Sequence, residues 1–201
     1  MPKVGRPKGL SSQEDALSRQ ELSMMLLASS GDLKDSFIFR ILVFAGLRVS
    51  ELKHLRCSWV NLEEGTITIP TRQYCDCAEC KRKRDSLWRP KTKKGARTIL
   101  IHPMLLPVMK EFLDSHEEIG LSTTAIWGRV KRMAKRAHIT RSVYPHCLRA
   151  TAAIMLAYQK ISAPALKYVM GWETLEAADA YVKSDMRLAH AEQRQIYQGV
   201  T

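Results

Sequence analysis

Four separated segments carry side chains whose types and spacing could act together on one ligand. Arg48 lies in Gly46-Leu47-Arg48-Val49-Ser50-Glu51-Leu52. It falls at a break between two expected helices, where a guanidinium can point into a cleft or simply cover a helix end. Pro90-Lys91-Thr92-Lys93-Lys94-Gly95-Ala96-Arg97 is a basic turn leading into an expected strand. His146-Cys147-Leu148-Arg149 places His and Arg three residues apart, so on a helix both share one face and can converge. Gly171-Trp172 is followed nine residues later by Tyr181.

A fifth constellation has different chemistry. Cys75-x-Cys77-x-x-Cys80 precedes the run Lys81-Arg82-Lys83-Arg84. Three thiols this close are poorly explained by packing, and they read as either a structural Zn²⁺ site or reduced free thiols. Zinc needs a fourth ligand, for which Cys57, His102 or a residue outside the loop are the options. Five Cys is an odd number. That number points to a reducing, cytoplasmic setting and away from a disulfide framework.

The chain of 201 residues has a formal net charge of +12. A chain this long buries roughly 70% of its unfolded surface and needs no covalent staples. A 45% hydrophobic and 26% charged composition excludes a disordered chain. The charge points to a polyanionic partner, nucleic acid before an anionic membrane surface. No apolar run approaches the ~20 residues of a membrane-spanning helix. The first residues lack the apolar core of a secretory signal.

The elements that must position these residues read as α+β, mostly helical with one small sheet. Residues 1–16 read as a basic, mobile arm. Ser18 and Glu21 form a capping box for a first helix. Asp35 or Ser36 opens a second helix running to Gly46, and Ser50 caps a short third one. A hairpin turns at Glu64-Gly65, and Arg97–Ile101 supplies a third antiparallel strand after a long insertion. Helices resume from Pro103, from the Ser122 cap, from Tyr144-Pro145 to Gln159, and over 163–170, 174–182 and 185–197. Tyr158 and Tyr168 read as packing residues.

Taken together and in order, these segments resemble the catalytic domain of the tyrosine recombinase (phage integrase) family over about residues 17–197, which implies a catalytic domain at 17–201. The G-L-R-x-S-E-L segment, the hairpin lysine, the H-x-L-R box, the Gly-Trp and the tyrosine nine residues beyond it all match. The resemblance implies a mostly helical fold with a small three-stranded sheet. It also implies DNA cutting by transesterification: a tyrosine hydroxyl attacks phosphorus and leaves a 3′-phosphotyrosine and a free 5′-hydroxyl, without ATP or a cofactor. Arg48 and Arg149 would then be the guanidinium pair that stabilises charge on the non-bridging oxygens. His146 would be a hydrogen-bond donor or proton acceptor near the tyrosine. Trp172 stands where the family often has His; its indole N–H can donate but cannot shuttle a proton. Lys91 would be the general acid for the leaving oxygen, with Lys93 and Lys94 in the same turn as alternatives. Tyr181 would be the nucleophile. Glu51 either orients the site or simply complements the helix dipole.

The resemblance also implies double-stranded DNA as partner and a tetramer on paired sites, docked through the C-terminal helix. The expected DNA contacts are Lys81, Arg82, Lys83 and Arg84, the hairpin Lys93 and Lys94, and a helix face carrying Lys131, Arg132, Lys135 and Arg136. The arm segment Gly5-Arg6-Pro7-Lys8-Gly9 is similar to an A·T minor-groove hook and also reads as a plain basic tail, so Arg6 and Lys8 join the set. Fuller family members carry a core-binding domain that this sequence lacks, so it reads as a minimal enzyme or a fragment. The function expected is a site-specific recombinase or integrase of a mobile element, viral or plasmid-borne, acting at the nucleoid. Two competing readings are a DNA-binding regulator without catalysis and a type IB topoisomerase-like enzyme.

Overall fold

The structure, a computed structural model, describes residues 15–183. Helix α1 (Arg19–Ser29) starts at the expected box: the Glu21 N–H donates to the Ser18 hydroxyl and the Ser18 N–H to the Glu21 carboxylate. Helix α2 (Leu33–Phe44) is buried over most of its circumference, from Asp35 to Phe39 and from Ile41 to Val43. A helix that apolar belongs at the centre of a core. It packs against α1, the short α3 (Val49–Lys53), α5 (Leu106–Ser115), α6 (Thr123–Arg136) and α7 (Pro145–Tyr158).

The expected sheet forms from β1 (Val60–Asn61), β2 (Thr66–Ile69) and β5 (Arg97–Leu100), all antiparallel in the order β1-β2-β5. Asn61 Oδ1 accepts from the Glu63 and Glu64 N–H groups and tightens the hairpin turn. The pleat sends Ile67, Ile69, Arg97 and Ile99 inward, with Ile69 opposite Arg97. The insertion between β2 and β5 is itself folded. It holds the ribbon β3 (Gln73–Tyr74) with β4 (Leu87–Trp88), and the short helix α4 (Ala78–Lys81) lies between its strands. Helices α8 (Ala163–Met170) and α9 (Leu175–Lys183) pack against each other and against α7.

Three helix starts differ from expectation. Asp32, not Asp35 or Ser36, caps α2, because Asp35 is turned toward Arg129 and Arg136. Arg48 occupies the cap of α3 in place of Ser50. Pro103 lies in a turn closed by His102, and Pro107 takes the first turn of α5. Asp15 and Ala16, expected in the arm, are fastened to the body: Tyr144 donates to the Asp15 carboxylate at 2.7 Å, and Arg141 donates to both their carbonyls. Tyr158 and Tyr168 are exposed and not packed in the core. The Tyr158 ring lies under Arg19, and the Tyr168 hydroxyl accepts the Thr98 N–H. No described helix is long and apolar enough to cross a membrane. The expected 185–197 helix and Arg6 and Lys8 lie outside the described residues.

Asp35 holds α6 onto α2, accepting from Arg129 and Arg136 at 2.6 Å each. Its carboxylate is buried while the two guanidiniums are partly in water. Asp35→Ala should therefore lower unfolding free energy by about 2–3 kcal/mol, below the loss seen for fully buried pairs. Urea unfolding measures this, and a change within about 0.5 kcal/mol would be the surface-like result that contradicts it.

Candidate functional site

The site begins with a turn. Gly46 ends α2 in the left-handed region, at φ +60°, and a Cβ there would meet the Met170 sulfur at 3.0 Å. The chain leaves the turn extended at Arg48 and enters α3. Glu51, one turn into α3, reaches back to accept the Arg48 N–H at 2.8 Å, the carboxylate half of a capping box. Its other oxygen accepts from Arg48 Nη1 at 2.7 Å. Arg97, on the inner face of β5, donates to both Glu51 oxygens at 3.2 Å. The side chains of Glu51 and Arg97 are 0% exposed, whereas Arg48 keeps 16%.

Arg149 enters the same space from α7. It is buried and donates to the Gly46 and Met170 carbonyls. Burial, with Arg48 close by, pushes its pKa down to about 9, so it stays protonated at neutral pH. Burial works to raise the Glu51 pKa, but Arg97, Arg149 and Arg48 outweigh it and hold the carboxyl below its usual range. Three guanidiniums around one carboxylate leave a net charge of +2 in a largely dry pocket. Arg48 Nη2 donates to the Gly171 carbonyl at 2.6 Å. Gly171 ends α8 at φ +60°, and a Cβ there would lie 2.8 Å from Arg97 Nη1 and 3.1 Å from the Lys94 carbonyl. Only glycine satisfies both that backbone and that space.

The remaining expected residues are arranged around this cluster. Tyr181 on α9 is 7% exposed, and its ring stacks on Trp172 at 5.1 Å. It lies near enough to Arg149 to act on that guanidinium electrostatically. The basic turn docks on the end of α8: Thr92 Oγ1 donates to the Gly171 carbonyl at 3.4 Å, and Lys91 beside it is exposed. His146 is exposed in the first turn of α7, one helical turn before Arg149.

The expected DNA contacts separate into two groups. Lys81, Arg82, Lys83 and Arg84 lie exposed at the end of α4, and Lys93 and Lys94 at the hairpin tip. Lys131, Arg132 and Lys135 are exposed on α6, where Lys131, Lys135 and His138 line a shallow groove with Arg141. Arg136 departs from that face. It turns to the Ala28 carbonyl and Asp35 and braces the fold.

The cysteines do meet, and the fourth donor is His54. Its ring and the sulfurs of Cys75, Cys77 and Cys80 place one ligand atom each within 4.8 Å of one another, an arrangement able to hold a metal ion. Cys57 donates instead to the His116 carbonyl, and His102 stacks on Phe44. Burial raises the Cys77 thiol, but the Cys80 N–H and His54 outweigh it and bring the pKa down to about 6.

Sequence reasoning missed Arg97 and His54. Arg97 had a readable signal, since it alternates with Ile99 on the strand face that must be buried. His54 had none, because its distance along the chain from the cysteines is set by the tertiary fold alone.

Glu51→Gln should lower stability by about 3 kcal/mol at neutral pH, since it leaves the buried Arg97 without a charge partner. The Glu51 carboxyl is lowered from an unfolded value near about 4.3. Its stabilisation is therefore complete above that pH and is lost as pH falls through the folded value. The gap between wild type and E51Q in urea unfolding should be flat above about pH 4.3 and shrink below it. A gap that widens on acidification would contradict this.

Comparisons with known proteins place this geometry. Residues 16–187 match the model of the phage integrase family. The chain is 29% identical over 181 residues to the tyrosine recombinase XerD of Xanthomonas campestris pv. campestris, covering 87% of this chain and 54% of that protein. It is 27% identical over 198 residues to the tyrosine recombinase XerA of Thermococcus onnurineus, covering 90% of this chain and 62% of that one. It thus spans a little over half of the curated relatives. Among solved structures, an XerA recombinase superposes with a TM-score of 0.72 at 19% identity, covering 94% of this chain and 66% of that one. A Tn1549 transposon integrase in complex with a circular intermediate DNA gives 0.70 at 20%, covering 98% and 68%. At these identities the structural likeness concerns the fold: mostly helical with a small antiparallel sheet. The match over residues 16–187, on a fold that gathers Arg48, Arg149 and Tyr181, makes this chain a member of the phage integrase family.

Proposed function

We propose that the chain carries the catalytic machinery of a site-specific DNA recombinase. The observation that carries this reading is the buried cluster of Arg48, Arg97 and Arg149 on Glu51, with Tyr181 docked beside it in the same chain. In the first step Tyr181 Oη attacks a DNA phosphorus. The bond from phosphorus to the 5′ oxygen breaks, and a 3′-phosphotyrosine forms. The tyrosine proton passes toward His146, and Lys91 supplies a proton to the leaving 5′ oxygen. A 5′-hydroxyl of a second strand then attacks the phosphotyrosine and restores the tyrosine.

The charge balance supports this chemistry. Extra negative charge gathers on the non-bridging oxygens as phosphorus becomes five-coordinate, and a dry site with net charge +2 favours that state over the ground state. Arg48 and Arg149 carry the donors that would meet those oxygens, and they now hold the carbonyls of Gly171, Gly46 and Met170. Arg97 faces Glu51 and keeps it ionised. Trp172 stacks on the Tyr181 ring and limits its rotation. The exposed lysines and arginines of α4, α6 and the hairpin tip supply sequence-independent grip on phosphates. A mobile-element role and a tetramer on two sites are part of the same proposal. The segment expected to join subunits lies outside the described residues.

Suicide duplexes, nicked near the cleavage point and built from DNA flanking the gene, should trap a covalent protein–DNA adduct. Tyr181→Phe should abolish the adduct. Arg149→Ala should slow its formation by at least about 10²–10³-fold, the loss typical of one preorganised transition-state donor. Adduct formation that survives Tyr181→Phe would contradict the assignment. DNA binding with no adduct on any site would favour a regulator, and supercoil relaxation without strand exchange a topoisomerase.

A further inference from the structure

We propose that His54, Cys75, Cys77 and Cys80 bind a structural Zn²⁺ that clamps the insertion leading to Lys91 onto helix α3. This does not rest on the recombinase reading.

The cage already has the size that zinc requires. Bonds of about 2.3 Å to sulfur and about 2.05 Å to nitrogen in a tetrahedron set each N···S edge near about 3.6 Å. His54 Nε2 lies 3.6 Å from the sulfurs of both Cys77 and Cys80. The ring is also set in the right tautomer. Its Nδ1 is 2.7 Å from the Ser50 carbonyl, which can only accept, so Nδ1 carries the proton and Nε2 offers its lone pair inward.

The surroundings fit a structural site. Cys75 and Cys80 are buried. The Trp88 ring stacks on His54 at 5.3 Å and meets Trp59 in a tilted contact at 5.1 Å, which walls off one side. Three thiolates and a neutral His give a zinc site of net charge −1, and the Lys53 ammonium interacts with Cys77 to offset it. Four protein donors close the coordination shell, as in a structural site, and leave no position for a reacting water. Three soft sulfurs select zinc over magnesium or calcium.

The position of the cage says what the metal does. His54 caps α3 one turn after Glu51, while the cysteines belong to the insertion. Two direct hydrogen bonds already join them near this point: Gln73 Nε2 donates to the His54 carbonyl at 3.1 Å, and Lys53 Nζ donates to the Glu79 carboxylate at 2.7 Å with Glu79 exposed. A zinc ion would add a third link, through one bond to His54 on the α3 side and three to the cysteines of the insertion. The helix that holds Arg48 and Glu51 and the segment that runs through β4 to Pro90 and Lys91 would then move as one piece.

The test uses the full chain purified under reducing conditions without chelator. Metal analysis should find close to one zinc per chain, kept in Tyr181→Phe and lost in Cys77→Ser. Cobalt added to the metal-free protein should give the visible bands of a tetrahedral, sulfur-rich site. His54→Ala should change those bands and weaken zinc in chelator competition by at least the roughly 10–100-fold that follows loss of an outer-shell partner. Removing zinc should raise hydrogen exchange over residues 73–95 and leave α1 and α2 unchanged. Zinc far below one equivalent with no cobalt bands would overturn the site. An unchanged cobalt spectrum in His54→Ala would overturn the ligand set, and unchanged exchange over 73–95 would overturn the clamp.

Discussion

One buried carboxylate organises this molecule. Glu51 is fully out of water, and an ionised carboxylate there is tolerated only because Arg97 and Arg48 spend several donors on it. Those two guanidiniums come from opposite parts of the chain, one from the cap of α3 and one from the inner face of β5. The helical body and the small sheet therefore meet at a charge, and not only at an apolar seam. Replacing that meeting with Leu and Ile would fill the space equally well, but it would leave no donors at the surface of the pocket.

The cluster then dictates the turns around it. Arg149 needs the Gly46 and Met170 carbonyls, and Arg48 needs the Gly171 carbonyl. Such carbonyls point inward only where a helix ends in a left-handed residue, which is why α2 and α8 both stop at glycine. Gly171 also receives the hairpin tip through Thr92. A single backbone carbonyl thus gathers Arg48 and the segment carrying Lys91. The site is spread over 134 residues of sequence, from Arg48 to Tyr181, yet two helix ends and one strand face hold it.

Much of this was legible in the sequence. Capping at Ser18 and Ser122, the Glu64-Gly65 hairpin and the helix over 163–170 follow from local chemistry, and local chemistry decided them. The order of the motifs placed Arg48, His146, Arg149 and Tyr181 within one family. What could not be read was tertiary. Arg97 looked like part of a basic turn, although its alternation with Ile99 marks the buried face; its partner Glu51 is what only the tertiary fold supplies. Arg136 looked like part of a basic face, because nothing local shows that Asp35 lies opposite. Asp35 looked like a helix cap for the same reason: a cap residue is recognised by type, but a more distant partner can claim it, whereas Ser50 falls inside α3 because the helix already starts after Arg48. His54 became a neighbour of three cysteines only when α3 and the insertion packed together.

The central claim is that Glu51 and Arg97 form a fixed base, from which Arg48 and Arg149 exchange backbone carbonyls for a phosphate. A crystal structure of the covalent or pre-cleavage DNA complex tests this directly. The expected result is Arg48 and Arg149 donating to the non-bridging oxygens of the scissile phosphate, with the Glu51–Arg97 pair unchanged. A complex in which both arginines remain on the Gly46, Met170 and Gly171 carbonyls, with the phosphate held elsewhere, would contradict it.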